Sequence, residues 1–144
     1  TCSPHEMARK ALGYSPYWCF HKNKNKHHWE YWLDNQDGGD WVPLKMPYKY
    51  VIEMCCDMVG ASRAYKKESW TQDAPWEYWI TKCKGKRIMH KESAYLLEKM
   101  FWIIKEGGLD HFLEFYKENK KYLKESYERG ILMTNDAALI LGGE

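Results

Sequence analysis

Between Tyr48 and Lys67 the apolar residues Val51, Ile52, Met54, Cys55, Met58, Val59 and Ala61 recur three and four positions apart. That spacing lays one stripe along an α-helix and conflicts with the two-residue alternation of a half-buried strand. The same period returns in Tyr95, Leu96, Leu97, Met100, Phe101, Ile103 and Ile104. It predicts a helix from His90 to Lys105, ended by Gly107-Gly108. A further helix is expected from Leu109 to about Glu128, with Phe112, Leu113, Phe115, Tyr116, Tyr122 and Leu123 on its apolar face and Gly130 as its stop. No segment alternates as a strand would, and no internal repeat or low-complexity tract is present. The fold class that follows is all-α, a single compact bundle of about five to six helices within one domain spanning 1–144.

Local signals set the remaining boundaries. Ser3-Pro4-His5-Glu6 combines an N-cap serine, a proline at the first helical position and an acid in the first turn; it opens a helix that Gly13 ends near Leu12. Ser15-Pro16 repeats the signal, for a helix expected from Pro16 to about Leu33. Asp34 to Asp40 is rich in turn formers and reads as a loop. Pro43 and Pro47 bracket a connector, and Pro47 is suited to open the next helix. Residues 68–74 read as a polar loop, Asp73-Ala74-Pro75 as the start of a shorter helix through Cys83, and Lys84-Gly85-Lys86-Arg87 as a basic turn. The apolar stretch 131–144 is either a short helix around Ala137–Leu141 or a packed tail.

Composition narrows the class of protein. Aromatic residues make up 16% of the chain, including eight Trp and eleven Tyr, so a few large side chains can build the core. The net charge of +2 neither demands nor excludes nucleic acid. No apolar run approaches the roughly 20 residues of a membrane span, and nothing resembles a leader peptide. The expected setting is therefore the cytoplasm, with no membrane partner. Cys2, Cys19, Cys55, Cys56 and Cys83 include no Cys-x-x-Cys pair, which argues against a zinc knuckle and for reduced thiols that mostly fill the core.

The residues that could carry chemistry concentrate in His21-Lys-Asn-Lys-Asn-Lys-His27-His28-Trp-Glu30-Tyr-Trp32. On a continuous helix His21 and His28, two turns apart, share a face, with His27 about 100° round from His28. Such a face presents imidazoles to one ion, with Glu30 or a neighbouring helix completing the shell. Glu53 and Asp57 lie four apart on the Tyr48–Lys67 helix and should repel unless a metal ion, Arg63 or a lysine lies between them. The alternatives are plain: a solvated basic face for the His-Lys-Asn run, and an exposed acidic face for the carboxylates. Trp18, Trp29, Tyr31 and Trp32 are expected in the core rather than as a base-stacking platform, and His5, His90 and His111 stand isolated.

The run 21–32, together with Met46-Pro47, Tyr50, Glu53-Met54, Asp57, Gly60-Ala61, Arg63 and Tyr65, resembles the signature of an uncharacterised domain family of phages and Firmicutes. The likeness covers about residues 1–105, and His-His-Trp-Glu-Tyr-Trp is its most specific part. Family members carry a His-Asp pair upstream of a Ser-Pro segment similar to Ser3-Pro4; no such pair stands in residues 1–144, a departure that would take at least two ligands from the metal site the resemblance implies. The order of His-Asp, His, His-His and a later Asp is in turn similar to the HD-domain metal-dependent phosphohydrolases. That likeness implies an HD-domain-like frame holding a divalent ion (Mn, Fe, Mg or Zn) on His21, His27, His28 and Asp57. It further implies that Glu30 or Glu53 orients a metal ligand or accepts the proton of the water, and that Lys24, Lys26 and Arg63 contact phosphate. The substrate implied is a phosphorylated small molecule, a nucleotide or a phosphodiester. Two other readings stay open: a non-catalytic phage or prophage accessory protein that binds a host protein or nucleic acid, and a helical protein whose histidines only satisfy buried hydrogen bonds.

Overall fold

A computed structural model of the protein describes residues 3–35 and 37–141; Thr1, Cys2 and residues 142–144 lie outside that range. Helix α1 spans Pro4–Leu12 and begins as its sequence dictates: Ser3 Oγ accepts the Glu6 N–H at 3.2 Å, and the Glu6 carboxylate accepts the Ser3 N–H at 2.8 Å. Helix α2, Pro16–Lys24, is capped in the same manner by Ser15. It stops nine residues short of the expected Leu33. Asn25 turns to extended backbone (φ −121°, ψ 109°), and its side-chain amide donates to the His21 carbonyl at 2.8 Å, offering the helix end a partner that a further turn would otherwise supply. A 3₁₀ turn follows at Trp29–Trp32, and then a two-residue antiparallel ladder of β1 (Leu33–Asp34) and β2 (Val42–Pro43), which no alternation in the sequence announced.

Helix α3, Tyr48–Lys66, matches its expected span to within a residue, and buries Val51, Met54 and Cys55. A 3₁₀ turn at Lys67–Ser69 occupies part of the expected polar loop. Helix α4, Ala74–Tyr78, widens into a π-helical turn at Trp79–Cys83. Helix α5 runs Lys91–Glu128 and α6 runs Leu132–Leu141, so the tail is helical earlier than expected. The two helices expected on either side of Gly107-Gly108 form one 38-residue element with a break at Gly108 (φ 88°, ψ 175°), where Gln72 donates to the Lys105 carbonyl at 2.8 Å. All-α describes the chain well, the two-residue ladder aside. Among the described residues, no helix is long and apolar enough to cross a membrane.

Helix α3 packs on α5, and the core between them joins Val51, Met54 and Cys55 to Leu96, Leu97, Met100, Phe101 and Ile104. Trp79 and Cys83 close it from the α4 side, and Leu123, Tyr127 and Leu132 from the far end. A ring of three hydrogen bonds pins the start of α3. The Met46 N–H donates to Ser93 Oγ at 3.0 Å, the Ser93 and Tyr127 hydroxyls meet at 2.7 Å, and the Tyr127 hydroxyl donates back to the Met46 carbonyl. Each member donates once, so none is left unsatisfied in a buried site. Helix α6 is tied to α5 by buried Asp136, which accepts from Tyr95 at 2.6 Å and Lys99 at 2.9 Å. Cys55 and Cys83 are core residues as expected; Cys19 and Cys56 are exposed.

Two glycines inside helices are predicted to respond oppositely to alanine. Gly60 lies within α3 with open space around it, so Gly60→Ala is expected to raise stability by about 0.5–1 kcal/mol. Gly108 sits in backbone territory reserved for glycine, and Gly108→Ala is expected to cost about 1–3 kcal/mol. Urea unfolding midpoints of the two variants check both signs.

Candidate functional site

The end of α2 at Asn25 decides where the histidines go. The His28 N–H donates to the Asn25 carbonyl at 3.2 Å, and the Trp32 indole donates to the Lys26 carbonyl at 2.7 Å. The chain therefore folds back within four residues. His27 and His28 leave the helical face on which they were expected and return beneath His21 from a loop. Ring centroids stand 4.8 Å apart for His21 and His28, 4.5 Å for His27 and His28, and 6.4 Å for His21 and His27. One donor atom from each imidazole lies within 4.8 Å of the other two.

The carboxylates of α3 meet the same cluster. His27 lies between them, its Nδ1 3.8 Å from Glu53 Oε2 and its Nε2 3.7 Å from Asp57 Oδ2. The i,i+4 pair is thus separated by an imidazole; Arg63 instead lies over the Trp70 ring. Glu30 lines the same cleft as His21, His28 and Asp57. Among the described residues three buried side-chain polar atoms have no hydrogen-bond partner: Nε2 of His27, Nε2 of His28 and Oε2 of Glu30. Orphaned buried polar atoms are rare and call for an explanation.

The donor set fits a divalent ion. Bonds of about 2.1 Å place two ligands of one ion about 3 to 4 Å apart. The 3.7 Å gap between His27 Nε2 and Asp57 Oδ2 is too long for a hydrogen bond and falls in that range. The widest imidazole spacing exceeds it by under an ångström or so, within reach of a side-chain adjustment by exposed His21. Mixed nitrogen and carboxylate donors suit Zn, Fe or Mn better than Ca. His28, only 7% exposed, is held down to about 4 from the ordinary 6.5. Burial is the main cause, followed by the His27 and His21 rings; Asp57 opposes it, and Arg87 adds to it. The ring is therefore neutral at pH 7, with a lone pair free to bind an ion.

Beyond the cluster opens a cleft of about 510 Å³. Trp18 and Trp29 line it rather than filling the core, although Trp29 and Trp32 also pack against the core edge. The cationic residues of the cleft are Lys66 and Arg87; from sequence Arg87 was expected in a basic turn, a contact surface for the accessory-protein reading, and not as a phosphate contact of a hydrolase. The three expected phosphate contacts sit elsewhere: Lys24 over the Phe20 ring, Lys26 over Tyr31, and Arg63 in a separate cavity with Trp70 and Gln72. Of the isolated histidines, His5 bonds Ser15 Oγ at 3.0 Å and His90 caps α5 through the Glu92 N–H.

The segment that holds this cleft is also the segment that places the chain in a family. A family model matches residues 3–103, and the chain belongs to that family, DUF5662, a family of unknown function. Every residue named above as lining the cleft falls within the match. No curated protein and no solved structure matches the chain.

His28 gives the site a signature in acid. Below pH 6.5 the unfolded chain takes up a proton that folded His28 refuses until about pH 4, so the metal-free fold loses stability as pH falls through that window. Thermal melts in EDTA are expected to drop over this range, and His28→Gln to flatten part of the drop. An unchanged profile in the variant would remove His28 as its source.

Proposed function

We propose that this protein is a metal-dependent phosphohydrolase acting on a nucleotide or other phosphate ester, HD-domain-like in its all-helical frame and its His/Asp donor set. The observation that carries the reading is the clustering of His21, His27 and His28, with His27 Nε2 3.7 Å from Asp57 Oδ2 and the Nε2 atoms of His27 and His28 buried and unpartnered. His21, His27, His28 and Asp57 would hold the ion. A divalent ion there supplies a water that ionises near neutral pH and positive charge opposite phosphoryl oxygens. Glu53 Oε2 lies 3.8 Å from His27 Nδ1, an ion-pair distance rather than a hydrogen bond; on closing that gap it would orient the ring through its other nitrogen, the usual task of a carboxylate behind a ligating histidine. Glu30, with one carboxylate oxygen buried and free of partners in the same cleft, would be the group to accept a proton there. The cleft walls are largely apolar, which would strengthen charge interactions at its buried edge by His28.

One observation favours a non-catalytic accessory protein that binds a host protein or nucleic acid. Met7, Leu12, Tyr14, Tyr17 and Phe20 are all exposed along α1 and α2, a patch of the kind that marks macromolecular contact.

Metal uptake separates the readings. Equilibrium dialysis against Mn, Fe, Mg and Zn is expected to leave about one ion per chain. His27→Ala and Asp57→Asn are each expected to lower affinity and phosphate-ester turnover by at least about 10–100-fold, the loss seen when even an outer partner of a metal ligand is removed. Both side chains are half-buried or exposed, so the bundle should survive the changes. A wild-type protein that takes up none of the four metals and hydrolyses no phosphate ester would overturn the hydrolase reading.

A further inference from the structure

Arg87 is the unusual cation of the cleft. It follows the basic turn at Gly85 and its backbone N–H donates to the Cys83 carbonyl at 3.0 Å, which holds the residue at the cleft wall. Its neighbours in the turn are occupied: Lys84 pairs with Glu98 at 2.7 Å, and Lys86 donates to the Thr81 carbonyl at 2.7 Å. The half-buried guanidinium of Arg87 donates only to the Met58 sulfur, at 3.8 Å, and no carboxylate pairs with it among the described residues. A thioether is a weak acceptor for a group with five donors. A planar fork left in this condition beside an aromatic cleft matches the bidentate geometry of a phosphate.

The rest of the cleft describes what would be attached to that phosphate. Tyr65 from α3 and Tyr78 from α4 line it, and neither ring has a ring partner among the described residues, whereas Trp18 is held edge-on to His28 at 4.9 Å. Free aromatic faces favour a flat heterocycle. The volume of about 510 Å³ falls among small-ligand pockets. His28 and Asp57 line the same space, so an ester anchored by Arg87 lies in one compartment with the imidazole cluster.

We propose that the cleft binds a nucleoside monophosphate, with Arg87 as its phosphate-binding residue and the rings of Tyr65 and Tyr78 against its base. The proposal takes from the preceding reading only that the ligand is a phosphate ester, and its test requires no turnover. Titration calorimetry in EDTA would compare nucleoside 5′-monophosphates with the matching nucleosides, ribose 5-phosphate and inorganic phosphate. At least one monophosphate is expected to bind about tenfold more tightly than its nucleoside and than ribose 5-phosphate. Arg87→Gln should erase the advantage over the nucleoside while leaving nucleoside affinity within about twofold; Tyr65→Ala with Tyr78→Ala should weaken nucleotide and nucleoside alike. Should Arg87→Gln fail to fold, Arg87→Lys decides, because it keeps the charge, lacks the fork and must lose at least about fivefold. The assignment is overturned if no monophosphate outbinds its nucleoside, or if the folded Arg87 variant retains monophosphate affinity within about twofold. Arg87-dependent binding without metal uptake would leave this assignment standing and end the hydrolase reading; metal-dependent hydrolysis indifferent to Arg87→Gln would do the reverse.

Discussion

A tyrosine near the far end of the long helix holds the start of the helix that carries both carboxylates. Tyr127, Ser93 and the backbone of Met46 are distant in sequence, yet they close one buried ring of hydrogen bonds in which each group gives and accepts. Burial pushes the Tyr127 hydroxyl up to about 12, so it remains a donor across the physiological range. Lys45 adds to the arrangement by reaching the Tyr127 carbonyl and pairing with Glu92 at 3.1 Å. With its first turn fixed in this way, α3 cannot rotate on α5 without breaking a satisfied network in a water-free site. The direction in which Glu53 and Asp57 emerge follows from that restraint and from the apolar stripe opposite them.

The imidazoles arrive by a different route. Asn25 ends α2 by taking the carbonyl of His21, and Trp32, packed against the core edge, holds the returning loop through the Lys26 carbonyl. The site is thus the meeting of a rigid element and a locally determined turn. His27 sits at that meeting, on the loop side of the seam but within 4 Å of both helix carboxylates.

The legible parts of the fold were those governed by short-range rules. The caps at Ser3 and Ser15, the stop at Gly13 and the span of α3 all follow from residue types within one turn of each boundary. The end of α2 was illegible because Asn23, Asn25 and the lysines that alternate with them are compatible with a solvated helix, and only the tertiary placement of Trp32 and His28 rewards the break. The two-residue ladder is shorter than any periodicity can reveal. The histidine trio was recognisable from its crowding, although the helical face offered as the reason does not exist. Arg87 was not singled out as a cleft residue for a plain cause: in sequence it stands beside Lys84 and Lys86 in what reads as one basic turn, a contact surface taken as a whole. Nothing in the spacing distinguishes the one member left without a strong acceptor.

Helices α1 and α2 bury none of their own side chains, in contrast to the ten buried along α5. Elements of that kind open at a free energy well below that of global unfolding. The molecule therefore has a layered stability, with a slowly exchanging bundle of α3 and α5 and a fast-exchanging outer pair that carries His21. Whatever the cleft holds is gripped on one side by the most durable part of the fold and on the other by the first part to melt.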